Sequence, residues 1–209
     1  MKRRNRLILA LLILGTVAMG VTLTLQSREN ARRDSYLNAQ LDGATADLGY
    51  ILPYKNAYMG NASNSINLFY HLPLSGNPMT FEIFPDTLTL EVNINASVTE
   101  AGKTNLKDTP LALEGLEEVI DSYFTNTVYK ALIYNSIAAF SLIGNLENVV
   151  YRFTDAEFRV NRADVENLYK DFDKLLEEAE WKDQVQKPLE DEAYIAEASK
   201  AILKKVTNR

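Results

Sequence analysis

From Leu7 to Leu25 the chain runs for 19 residues without a charged side chain, LILALLILGTVAMGVTLTL. As a helix rising about 1.5 Å per residue this run reaches roughly 28 Å, close to the apolar thickness of a bilayer. Lys2, Arg3, Arg4 and Arg6 precede it, and cations beside a span favour the cytoplasmic side. The pattern predicts a cytoplasmic N-terminus at 1–6, a single-pass membrane helix at 7–25, and everything after it outside the cell. Ala18-Met19-Gly20 also satisfies the small-x-small rule of a cleaved signal peptide, so that alternative stays open, although apolar character continues through Val21, Leu23 and Leu25. Residues 26–45 are polar and read as a stalk. An extracytoplasmic α+β domain is expected over 46–176 and a helical extension over 177–209.

Within the domain the periods change from element to element. A short helix is expected from Asn61, capped by Asn61 or Ser63, with Ile66, Leu68, Phe69 and Leu72 as its apolar side and Pro73 as its stop. Thr80–Phe84 and Leu88–Ile94 alternate apolar with polar residues, which predicts a hairpin around Pro85-Asp86-Thr87 with one wet face. Asn95–Asp108 has Gly102 and no apolar period, and reads as a loop. Thr109-Pro110 marks a helix start. Tyr123–Ile143 is apolar nearly all round, but Asn126, Lys130, Asn135 and Ser136 interrupt it. It therefore reads as a buried central helix, not a second span, with Gly144 as its stop. Strands Asn148–Phe153 and Glu157–Asn161 follow. Asn161 then caps a helix with Asp164 at its third position and a stripe of Val165, Leu168, Tyr169, Phe172, Leu175 and Leu176. A last amphipathic helix begins at Pro188 and carries Ile195, Ala198, Ile202 and Val206. The ββαββα order predicts an α+β, two-layer domain whose mainly antiparallel sheet of about four strands packs on helices.

Composition narrows the chemistry. With no Cys, the chain holds no disulfide, Cys-bearing zinc site, Fe–S cluster, thiol nucleophile or lipid-anchoring cysteine. One His excludes an H-E-x-x-H site, and a net charge of −6 argues against nucleic acid as a partner. The nine glycines form no phosphate-binding loop. No G-x-S-x-G elbow exists, so a Ser-His-Asp site has only His71 to draw on. Glu114, Glu117, Glu118 and Asp121 share a helix face, where they complement the dipole at its N-terminal end. No cofactor and no metal site is expected. The segment Tyr54–Leu74, YKNAYMGNASNSINLFYHLPL, gathers asparagines, tyrosines and the sole histidine. A short helix cannot bury every side, so Tyr58, Asn61, Asn64, Asn67 and His71 are the candidate binding residues, and Tyr with Asn suits adaptable contacts. The expectation is a binding or sensing module acting through protein–protein contacts with a membrane or envelope partner. The alternatives are a cell-envelope hydrolase using a carboxylate pair, or a structural subunit of a membrane complex.

The same segment carries a resemblance. Tyr54, Tyr58, Gly60, Ser63, Asn64, Asn67, Leu72 and Pro73 resemble the opening of the bacterial domain-of-unknown-function family numbered 4825. Ala138–Phe172 resembles its closing half, with Phe140, Leu142, Ile143 and Asn145 at a helix end, a strand pair, and the helix start Arg162-Ala163-Asp164-Val165. The match covers roughly residues 50–173. It departs from the pattern in lacking the lipoprotein cysteine of many members and in the length of 95–122. Members also occur joined to BlaR/MecR-type membrane metallopeptidases, which implies an extracytoplasmic sensing or interaction module.

Overall fold

The structure, a computed structural model, describes residues 2–105 and 117–206, with side chains from Met19 to Asn105 and from Asp121 to Val206. It divides into two compact units, Met1–Asn38 and Ala39–Arg209. The first is the helix α1 (Lys2–Ala39), which takes in most of the expected stalk. Met19, Val21, Leu23 and Leu25 stand exposed on it. Among the described residues no helix is long and apolar enough to cross a membrane. The side chains of residues 7–18, the larger part of the predicted span, lie outside those described.

In the second unit, α2 (Leu48–Ile51) and α3 (Ala62–Phe69) precede β1 (Met79–Phe84) and β2 (Thr89–Ile94). Two helices follow, α4 (Val98–Asn105) and α5 (Glu117–Leu142). Then come β3 (Asn148–Arg152), β4 (Glu157–Asn161), α6 (Arg162–Glu166), α7 (Glu178–Glu180), α8 (Glu192–Ile202) and β5 (Lys204–Lys205). The sheet has five strands in the order β1-β2-β3-β4-β5. Three pairings are antiparallel, and the central one, β2 with β3, is parallel and aligns Leu90 with Val149. A parallel pair needs a crossover, which α4 and α5 provide.

The expected buried helix is α5, with every residue from Ala131 to Phe140 buried. Three of its polar positions find partners. Lys130 pairs with Asp42 at 2.6 Å, Asn135 donates to the Pro73 carbonyl at 2.8 Å, and Ser136 donates back to the Leu132 carbonyl at 2.7 Å. The core face of the sheet (Leu90, Val92, Val149, Tyr151, Phe158, Val160) lies in one cluster with α5 and with Trp181, Val185, Leu189, Ile195 and Ile202 from the C-terminal stretch.

The structure corrects several expectations. Asn95–Asp108 is not wholly a loop: Ser97 and Glu100 form a reciprocal capping box, with Ser97 N donating to Glu100 Oε2 at 2.9 Å and Glu100 N to Ser97 Oγ at 3.3 Å. Asp155 Oδ1 takes the Val98 N–H at 2.9 Å, and α4 buries Val98, Ala101 and Gly102. The expected start at Thr109-Pro110 and Glu114 lies outside the described residues. The helix after Asn161 stops at Glu166 because the chain turns there, with Leu168 N bonding Val165 O and Tyr169 N bonding Glu166 O. Asn161 donates its side chain to Asp164 Oδ2 at 3.0 Å instead of capping the backbone. Pro188 opens a single 3-10 turn, the last helix starts after its cap Asp191, and Val206 leaves that helix for the sheet edge, where its N–H bonds Glu157 O at 2.9 Å. That edge makes the fifth strand. The wet face is only partly wet: Glu82, Arg152 and Arg159 are exposed, whereas Thr89, Glu91 and Val150 are buried.

Candidate functional site

The Tyr54–Leu74 segment is held from below. Asn56 adopts a left-handed conformation, φ 64°, which asparagine tolerates better than most residues. The turn it makes brings Ala57 alongside the end of α5, where Ala57 N donates to Leu142 O and Gly144 N to Ala57 O, both at 3.0 Å. Met59 is buried, and its N–H goes to Asn145 Oδ1 at 2.8 Å. Between these two anchors Tyr58 points out, 63% exposed. Its ring lies against Gly60, where a Cβ would come within 2.8 Å of the ring edge. A side chain at that position would push the exposed ring aside.

Asn61 caps α3 as expected, its Oδ1 accepting from Asn64 N at 3.4 Å. Leu68, Phe69 and Leu72 are buried as the period predicts, but Ser65 takes the deep position expected of Ile66, which is half-buried. Asn61, Asn64 and Asn67 are exposed and His71 is half-buried. Spacings of three and four residues set Asn64, Asn67 and His71 along one side. The Tyr58 hydroxyl and the carboxamides of Asn64 and Asn67 have no hydrogen-bond partner among the described residues.

His71 is oriented. Its Nδ1 lies 2.7 Å from the Asn67 carbonyl oxygen, an atom that only accepts, so Nδ1 carries a proton. The Tyr54 hydroxyl is 3.2 Å from the same nitrogen. The rings of Tyr50 and Tyr54 pack on the imidazole at 4.7 and 5.3 Å. Burial, with the neighbouring Tyr50 phenol, pushes the Tyr54 phenol up. Tyr50 was missed by sequence reasoning; its signal was the four-residue spacing to Tyr54, which puts both on one side of a helical turn.

Other chemistry-bearing groups are tied up elsewhere. On the outer sheet face Arg152 bridges Glu91 at 2.9 Å and Glu157 at 3.1 Å. Beside it a shallow groove of about 450 Å³ is lined by Met79, Thr80, Asn93, Arg152, Phe153 and Thr154. Among the described residues no group of three or more His, Asp or Glu could hold a metal ion. Asp121 of the acidic row is exposed, and the side chains of Glu114, Glu117 and Glu118 lie outside the described residues.

The C-terminal end of α5, on which the segment rests, is closed by Arg162. Its guanidinium donates to the carbonyls of Phe140 at 2.9 Å, Ile143 at 2.7 Å and Leu146 at 2.7 Å. It also sits over the Phe140 ring at 5.3 Å. A family model described as Domain of unknown function (DUF4825) matches residues 51–163, from the turn below Tyr58 to just past this arginine. The chain belongs to DUF4825. The DUF4825 stretch thus holds four strands, α3, α5 and the arginine that joins them. Trp181, Val185 and Ile202 complete the same core from beyond it. No curated protein and no solved structure matches the chain.

Proposed function

We propose that this DUF4825 chain is a membrane-anchored extracytoplasmic binding or sensing module. Residues 7–25 anchor it, and the face of Tyr58, Asn61, Asn64, Asn67 and His71 meets an envelope partner. The observation that carries the reading is the contrast within residues 57–71. Ala57 and Met59 tie the backbone to Leu142, Gly144 and Asn145 at and just past the end of α5, while Tyr58, Asn64 and Asn67 turn their side chains outward and Asn61 and His71, each bonded within the segment, stand beside them. A backbone already held in place loses less entropy on binding. The exposed Val21, Leu23 and Leu25 of α1 support the anchor.

The test pairs topology with capture. Protease added to intact protoplasts should digest residues 39–209, and protection there overturns the outward orientation. The full chain should retain envelope material on affinity capture from membranes. The Tyr58→Ala/Asn64→Ala variant should lose it at unchanged unfolding stability; capture that persists overturns the assigned face.

A further inference from the structure

The two edges of the sheet are built differently. One ends in β5, a strand of two exposed lysines, and a short, charged edge resists pairing. The other ends in β1, whose six residues carry a single charge, Glu82. Met79, Phe81 and Ile83 are half-buried on its inner face, and Thr80 and Glu82 are exposed on its outer face. Among the described residues no strand pairs with the far side of β1.

The ladder fixes which backbone groups are left over. Asn95 N donates to Pro78 O at 3.0 Å, and antiparallel bonding alternates along a strand. Thr80, Glu82 and Phe84 therefore exchange bonds with Asn93, Glu91 and Thr89, the residues opposite them. Met79, Phe81 and Ile83 turn their N–H and C=O groups the other way, in a row bracketed by Pro78 and Pro85. Beside this row the exposed Tyr70 meets the Phe81 ring edge-on at 5.3 Å. The edge is long, apolar on one face and unblunted.

We propose that β1 is the interface of a homodimer, in which two copies pair this strand antiparallel about a twofold axis at Phe81. The proposal is independent of the partner assigned to the Tyr58 face. A second copy fits because Met79-Thr80-Phe81-Glu82-Ile83 is complementary to its own reverse. In that register Met79 of one copy lies opposite Ile83 of the other, and the two Phe81 residues lie opposite each other. Those are the residues with free backbone groups, so each pair exchanges both of its hydrogen bonds. Glu82 falls opposite Thr80, and the one charge of the strand meets a hydroxyl. Moving the axis to Glu82 would set two carboxylates face to face, which opposes pairing. An isologous contact of this kind closes at two copies.

Sedimentation of the full chain in detergent should show a dimer that dissociates on dilution. Thr80→Glu sets carboxylates opposite each other at both symmetry-related contacts and should raise the dissociation constant about five-fold or more. Thr80→Lys should lower it, and high salt should narrow the difference. Position 80 is exposed and lies opposite the neutral Asn93 within one copy, so thermal unfolding of the dilute chain should hardly move in either variant.

The register has a readout of its own. The chain contains no cysteine, and residues 80 and 82 of opposite copies would stand about 4.5 Å apart at Cα, within reach of a disulfide. Mixed Thr80→Cys and Glu82→Cys chains should cross-link under mild oxidation, whereas each variant alone should do so far less. Three results each overturn the proposal: a chain that stays monomeric, a dimer indifferent to the charge at position 80, and cross-linking as strong in either variant alone. A dimer held through α1 would give the second result and lack the mixed cross-link.

Discussion

The last carbonyls of any α-helix lack intrahelical donors, and at the end of α5 the guanidinium of Arg162 supplies them. Gly144, the expected stop, does not take up a left-handed conformation; it pairs with Ala57 instead. A planar fork reaching four carbonyls and one aromatic face is work a lysine cannot reproduce. Replacing Arg162 by Met should therefore cost roughly 3–5 kcal/mol, because buried carbonyls lose charged donors. Urea unfolding followed by the fluorescence of Trp181, the sole tryptophan, measures it. Arg162→Lys should recover only part of that loss. If Met proves neutral, the guanidinium is a passenger.

Among the elements, α4 rests against α5 at Gly102, where a Cβ would lie 2.5 Å from the Phe124 carbonyl oxygen. Both groups are backbone or its immediate neighbour, so neither can swing away. Gly102→Ala should destabilise the fold by about 1–3 kcal/mol through overpacking, a loss that chemical denaturation would register, whereas a loop glycine would tolerate the change. Where the signal was long, as in the nearly all-round apolar run of α5, or alternated cleanly, as in the β1–β2 hairpin, the element was legible in the sequence. Where a short segment depends on distant partners, it was not. The Ser97/Glu100 box was written in the chain, but α4 gains its burial only from α5. The apolar stripe after Val165 kept its burial at Leu175 without keeping its helix, which ends at Glu166. β5 has two residues and exists only because β4 is beside it. The candidate face was read in the same way. Asn61 as cap and Asn64 and Asn67 as outward groups followed from local geometry, while the packing of Tyr50 on His71 needed the fold.

At the scale of the whole molecule, three phenols are enclosed: Tyr134, Tyr151 and Tyr169 are each pushed well above the usual tyrosine range by burial. The folded chain keeps their protons at a pH where the unfolded chain has released them, so stability falls as pH rises past the ordinary value of about 10. Each phenol contributes a slope of about 1.4 kcal/mol per pH unit in that window. Urea midpoints should hold from pH 8 to about 10 and drop beyond it, and Tyr134→Phe should flatten the drop; an unchanged slope would mean that phenol titrates freely. A different consequence follows from the parallel seam between β2 and β3. Leu90 waits for Val149, roughly 60 positions later in the chain, which at synthesis rates of about 5–20 residues per second is an interval of roughly 3–12 s. During that time the finished β1–β2 hairpin presents one unpaired, apolar-faced edge to its surroundings. Strand order sets the length of this exposure, and nascent-chain pulldowns would find holdases bound to chains halted between residues 95 and 148.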